Sequence, residues 1–209
     1  MSLNLFTSLW LGVSTNVDNL GVGVAYGIKR IRIGMMSNVL IAFFNASATF
    51  LSMVAGESIS RFLPTTISGY AGNCIIILIG IWGLMNTFGF WGSDVEKTPS
   101  GQPQEVVRLE YIAQHPEVLD VDGSGHINTR EALPLAFALS ITNLGTGIGA
   151  GLAGFNVGFL VLIMFIFSMI GISLGYFLGN KFSLKLPGRW PGILSGVLLI
   201  GLGFFELFF

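Results

Sequence analysis

Asp18 is the residue whose placement demands a chemical reason. It lies within Ser14-Thr15-Asn16-Val17-Asp18-Asn19-Leu20-Gly21-Val22-Gly23-Val24-Ala25-Tyr26-Gly27, inside a long apolar segment. If that segment spans a bilayer, the carboxylate sits near the midplane, where charge is costly and by default marks an ion or substrate path. A second stretch echoes the first: Thr142-Asn143-Leu144-Gly145-Thr146-Gly147-Ile148-Gly149-Ala150-Gly151. Asn19, Gly21, Gly23 and Gly27 align with Asn143, Gly145, Gly147 and Gly151. Carboxylate and amide oxygens, joined by carbonyls if the helices open locally, form a hard-ligand set. Such a set suits manganese, magnesium or calcium better than metals that seek thiolates. The candidate ligands are Asp18, Asn19, Asn143, Thr142 and, from the next apolar segment, Asn45. Ser14, Thr15, Asn16, Asn73 and Ser168 are further polar groups.

A packing role competes with this reading. The Gly-x-x-x-Gly pairs 23/27, 147/151, 171/175, 175/179 and 192/196 are what close helix packing uses, and asparagines serve as interhelical hydrogen bonders. Asp18 is harder to explain that way, because no apolar segment offers a cation to pair with it. A carboxylate so placed would hold a proton that an arriving metal displaces, which makes a proton the candidate coupling ion.

A second constellation lies in a polar stretch. Asp120-Val121-Asp122-Gly123-Ser124-Gly125-His126-Ile127-Asn128-Thr129-Arg130-Glu131 has the spacing of a twelve-residue EF-hand calcium loop. Asp120, Asp122 and Ser124 take positions one, three and five, and Gly125 the sharp turn. His126 offers its carbonyl, Asn128 a direct or water-borne contact, and Glu131 the closing carboxylate. Ile127 is the apolar residue through which such loops pair. The competing reading is a solvated turn that caps the following helix.

The elements that position these groups follow from composition. The chain has 209 residues, 52% hydrophobic and 10% charged, with 29 glycines. Soluble domains carry about 25% charged residues, so this chain is an all-α polytopic membrane protein. Six candidate spans run at about Leu3 to Tyr26, Gly34 to Gly56, Ile67 to Phe90, Ala132 to Leu152, Val157 to Leu178 and Gly192 to Phe208. Between the third and fourth lies an acidic segment. Ser93 to Gln104 reads as a linker and Val106 to Gln114 as a short helix. Nine of the ten lysines and arginines fall on one side of this arrangement, and only Arg61 on the other. That side is therefore cytoplasmic, and both termini face out. The two echoing segments then run in opposite directions, as in an inverted-topology repeat. Residues 1–90 form one three-helix half, 91–131 a cytoplasmic acidic linker and 132–209 the second half. Phe50 to Gly56 loosely matches Ile166 to Gly171 as a further echo. Glu57 and Glu206 sit near the outer ends of their spans, either lining an exit or facing water.

These residues resemble the manganese efflux pump family, with the features of its sporulation membrane protein branch, YtaF, in the lysine exporter superfamily. The resemblance rests on Asp18-Asn19-Leu20-Gly21-Val22-Gly23 and Thr142 to Gly151, and covers nearly the whole chain. It implies six helices in two inverted halves and export of a divalent cation. It also implies that Asp18 carries the acidic role of the first repeat. At the aligned place in the second repeat stands Thr142. The branch is similar in carrying an Asp-x-Asp-x-Ser-Gly-like loop before the fourth helix.

The functional expectation is a multi-pass cell-membrane transporter exporting manganese, driven by an ion gradient because the sequence carries no nucleotide-binding loop. The alternative is a non-transporting membrane factor, of the sporulation kind, sensing cytoplasmic calcium or a similar ion through Asp120 to Glu131. An amino-acid exporter is a third reading that the wider superfamily allows. An enzyme is not expected, since the spans hold no nucleophile, base or metal-binding histidine group. A net charge of -1 gives no footprint for nucleic acid. The expected partners are the lipid bilayer and the metal ion, with room for a homo-oligomer. Cys74, the single cysteine, forms no internal disulfide.

Overall fold

A computed structural model describes residues 2–88, 116–182 and 190–208, and it is mostly helical. The predicted linker Ser93 to Gln104 and short helix Val106 to Gln114 lie outside the described residues. In chain order come α1 (Ser2–Thr15), α2 (Val17–Lys29), β1 (Arg32–Ile33), α3 (Met35–Ser60) and α4 (Thr65–Phe88). After a 3-10 turn at Pro116–Val118 follow β2 (His126–Ile127), α5 (Ala132–Ala153), α6 (Val157–Phe182) and α7 (Trp190–Phe208).

The ends of these helices have local causes. Arg30 ends α2 in the left-handed region at φ 60°, its N–H donating to the Gly27 carbonyl. Gly154 ends α5 the same way at φ 83°, where a residue without Cβ carries no strain. Asn156 then accepts the Phe159 N–H at 2.9 Å and caps α6. Pro134 sits in the first turn of α5, where a missing N–H breaks no intrahelical bond.

Among the described residues, four helices are each long and apolar enough to cross a membrane: α3, α4, α5 and α6. The two ends of the chain differ from the six predicted spans. The first span is divided at Asn16 into helices of 14 and 13 residues. The last is a shorter apolar helix, Ile193–Phe208 within α7. The middle elements outrun their predicted limits, with α3 reaching Ser60 and α6 reaching Phe182.

Glycine decides how the helices meet. A Cβ on Gly23 would strike the Ile172 carbonyl and lie 2.9 Å from Gly175 Cα. One on Gly175 would strike the Leu20 carbonyl, and one on Gly179 the Val24 carbonyl. So α2 and α6 run parallel, backbone against backbone. In α5, a Cβ on Gly151 would strike the Met53 carbonyl, and one on Gly56 of α3 the Ile148 carbonyl. So α3 and α5 form a second parallel pair. Two glycine faces packing on each other, one conceivable outcome for the echoing segments, is not what is found: each meets a different helix. The contacts that α4 makes are antiparallel. Gly80 of α4 meets Gly196 of α7, and Gly72 of α4 meets Gly149 of α5. Trp10 of α1 donates its indole N–H to the Leu198 carbonyl of α7 at 3.2 Å.

Because all three nearest neighbours at Gly175, on Leu20, Gly23 and Val24, are backbone atoms, nothing there can yield. Gly175→Ala should lower the melting temperature in detergent, at a cost of roughly 1–3 kcal/mol typical of overpacking. Gly83→Ala, where no heavy atom lies within 4 Å of the added Cβ, should leave it unchanged or slightly raised.

Candidate metal centre at a helix break

The break between α1 and α2 lies two residues before Asp18. Asn16 has φ -104° and ψ 8°, and its side chain does not cap the helix that follows. It turns back, its amide Nδ2 donating to the Gly12 carbonyl at 2.8 Å. The Thr15 hydroxyl donates to the Leu11 carbonyl at 2.9 Å. The Asn16 N–H reaches the Val13 carbonyl at 3.1 Å, a tightened last turn. The last carbonyls of a helix lack intrahelical donors and carry its negative dipole end, which favours a cation. Across the gap, Asp18 stands in the first turn of α2 and its Oδ1 accepts the Asn19 N–H at 2.7 Å. That supplies an acceptor to one of the exposed donors at the start of α2.

From the break a chain of buried amides crosses to two other helices. Asn19 Nδ2 donates to Asn16 Oδ1 at 2.6 Å. Asn45 of α3 donates through Nδ2 to the Ser168 hydroxyl of α6 at 3.0 Å, and at 3.5 Å to Asn19 Oδ1. Asn19, Asn45 and Ser168 are fully buried and Asp18 is half-buried. Met164 brings its sulfur to 3.1 Å from Thr15 Oγ1 and 3.2 Å from Asn16 Nδ2. Gly171 packs against Asn19 and the Asn16 carbonyl. Met164, Ser168 and Gly171 recur at i, i+4 and i+7, so one face of α6 lines the break.

Asn143 is held apart from this chain. Its Nδ2 donates to the Leu139 carbonyl in its own helix at 3.3 Å, and its carbonyl faces Ser52 of α3 at 3.5 Å. Thr142 lies in α5, with its side chain outside the described residues. Asn19 and Asn143 share no direct hydrogen bond among the described residues, and α3 contacts both, through Asn45 and Ser52. Asn45, Thr49 and Ser52, all buried, form a polar stripe along that helix. Sequence reading overlooked Thr49 and Ser52, although their i, i+4, i+7 spacing from Asn45 was a visible signal. It also overlooked Met164, for which an apolar helix gives no signal. The Oδ1 atoms of Asn45 and Asn143 are buried with no hydrogen-bond partner among the described residues. Buried carbonyl oxygens without donors are uncommon and ask for an explanation such as an unfilled ligand position.

The loop before α5 has the turn geometry its sequence implies. Gly123 and Gly125 have φ 65° and 72°. Ligand oxygens of Asp120, Asp122 and Glu131 lie within 4.8 Å of one another. Gly125 N–H donates to Asp120 Oδ2 at 3.0 Å, and Ser124 N–H to Asp122 Oδ1 at 3.0 Å. The Ser124 hydroxyl donates to the His126 carbonyl at 3.0 Å. The Asn128 and Val121 N–H groups donate to the two oxygens of Glu131, and Asn128 Oδ1 accepts the Glu131 N–H at 3.1 Å. The hydroxyl and N–H of Ser124 hold the Asp122 carboxyl below the ordinary aspartate value. The His126 side chain is exposed. Ile127 is buried, as its pairing role requires, but its partner is the α2–α3 connection. β2 pairs in parallel with β1, and the Ile127 carbonyl accepts the Ser37 hydroxyl at 2.9 Å.

Two outcomes follow from this geometry. Asn16→Ala should destabilise the protein by roughly 1–3 kcal/mol, since it removes the acceptor of a buried amide; thermal melting in detergent checks this. A group with a depressed folded-state pKa contributes stability above its unfolded value and loses it on acidification. Ser124→Ala should therefore move the Asp122 midpoint upward in an NMR titration of the metal-free protein.

Known proteins are similar to this chain in sequence. A family profile described as "Putative manganese efflux pump" matches residues 112–207. "Probable sporulation protein YtaF" of Bacillus subtilis is 31% identical over 153 residues, which is 69% of this chain and 71% of that protein. "Putative manganese efflux pump MntP" from two strains of Dehalococcoides mccartyi is 32% identical over 73 residues, covering 35% of this chain and 37% of theirs. No solved structure matches. With four membrane-length apolar helices among the described residues, the chain is a multi-pass membrane protein that belongs to the same family as YtaF, and its residues 112–207 match the manganese efflux pump profile.

Proposed function

We propose that this protein is a secondary transporter exporting a divalent cation, manganese first, from a site at the α1–α2 break. The observation that carries the reading is the break itself. It sets the negative end of one half-helix, the Asp18 carboxylate and the amides of Asn19 and Asn45 in one region of the bundle. Asn143 and Thr142 are the contribution of the second half, delivered through α3 when the bundle rocks. The names of the family and of its pump relatives support manganese as the ion.

Two inverted halves, residues 1–90 and 132–209 joined by 91–131, fit the packing. Exchanging the halves turns the parallel pair α2–α6 into the parallel pair α5–α3. It returns the antiparallel pair α4–α7 to itself. Under that exchange Asn45 corresponds to Ser168, its own hydrogen-bond partner, so the pseudo-twofold axis passes between them. The glycine contacts also correct the lesser echo: Gly56 corresponds to Gly179, so Phe50 to Gly56 and Ile166 to Gly171 are not equivalent. Lys29, Arg30, Arg32 and Arg130 gather at the end bearing β1 and β2, which makes that end cytoplasmic and puts both termini outside.

A second reading attaches to the Asp120–Glu131 loop, favoured by its clustered carboxylates and by the strand that ties it to the α2–α3 connection. There a calcium-like ion regulates the pump. In the alternative, the chain is a non-transporting sensor with a sporulation role like the one in its relative's name.

Flux in sealed proteoliposomes separates these. Manganese efflux by wild type should fall to background in Asp18→Asn, while Glu131→Gln should keep flux and change only its dependence on cytoplasmic-side calcium. Absence of flux for manganese, calcium, magnesium, cobalt and zinc, with metal still bound at the loop, would leave the sensor.

A further inference from the structure

We infer that the Met164 thioether is a ligand of the transported ion and sets its selectivity for softer divalent ions over magnesium and calcium. The inference rests on the transport site proposed above and adds to it a residue that the family motif does not include. Met164 is 1% exposed, and its sulfur touches the side chains of both residues at the end of α1. The single Thr15 O–H already has the Leu11 carbonyl as acceptor, so its contact does not need the sulfur. The Asn16 amide has two N–H groups, one on the Gly12 carbonyl and one on the sulfur, which fixes the thioether at the break. Bulk packing does not require sulfur, since leucine fills a similar volume.

What the sulfur does have is a place on the α6 face that carries Ser168 and Gly171. One neighbour on that face is hydrogen-bonded to Asn45 and the other is packed on the Asn16 carbonyl. The Asn45 Oδ1, buried and without a partner among the described residues, is an independent sign of an unfilled ligand position in the same cluster. Oxygen ligands alone favour magnesium and calcium as readily as manganese. A thioether adds a soft, polarisable donor that disfavours hard magnesium and calcium and favours softer ions, with manganese, harder than cadmium, gaining less from it than cadmium does.

The test compares wild type, Met164→Leu and Met164→Cys. Manganese, cadmium, magnesium and calcium fluxes are measured in proteoliposomes, and equilibrium binding of manganese and cadmium in detergent. Met164→Leu should lower manganese and cadmium affinity by about tenfold, with cadmium hit harder and magnesium unchanged or improved. Met164→Cys should restore the preference for cadmium. Equal scaling of all four ions in Met164→Leu, or no rescue by cysteine in a variant that melts like wild type, would overturn the inference. If wild type moves no ion yet binds cadmium in a way that Met164→Leu weakens, the transport reading fails while the ligand assignment stands. If wild type neither moves nor binds any of these ions, both are lost.

Discussion

In hydrocarbon every backbone N–H and C=O needs a partner inside the protein, because each one left alone costs several kcal/mol. A helix interrupted at Asn16 breaks that rule unless side chains repair it. Here they do: Asn16 and Thr15 donate back to α1 carbonyls, and the Asp18 carboxylate accepts an N–H of α2. The same repair concentrates oxygen atoms, a carboxylate and a helix dipole end around Asn16. The proposed site and the break in the helix are thus one feature. The echoing segment from Thr142 to Gly151 is not interrupted but lies within one helix, α5.

Close backbone approach is the second constraint. Without a hydrophobic driving force between helices in lipid, packing and polar contacts must hold them. Gly23, Gly175 and Gly179 let α2 and α6 touch along their backbones, and Gly56 and Gly151 do the same for α3 and α5. These two tight pairs meet at Asn45 and Ser168. Each pair packs backbone against backbone, and the contact between the pairs includes these buried polar side chains.

At one end the bundle is clipped. Ile33, Leu119, Ile127, Leu135 and Leu139 share one apolar core, which roots the acidic loop in the helices on either side of it. Arg32 and Gly34 donate their N–H groups to Gly125 and Ile127 carbonyls of the loop. The loop therefore contacts the end of α2, the start of α3 and the start of α5 together.

Much of this was legible in the chain. Apolar runs of helical length, Gly-x-x-x-Gly spacing and a lone carboxylate among glycines are local signals, and local signals set what each helix is and which face is polar. The EF-hand-like turn was legible for the same reason, since its glycines and carboxylates fix a twelve-residue geometry among themselves. Only the tertiary structure decided which helix each face would meet. The glycine spacing of α2 and of α5 is equally compatible with packing on each other or on third helices, and the choice depends on the complementary glycines of α6 and α3, far away in sequence. The break at Asn16 was likewise a matter of context. Asparagine in a helix can bond its neighbours or the backbone behind it, and the contacts from Met164 and Gly171 accompany the second choice here. Met164 itself shows why sequence stops short: its identity says only that it is apolar, and its role comes from what stands within 3.2 Å of its sulfur.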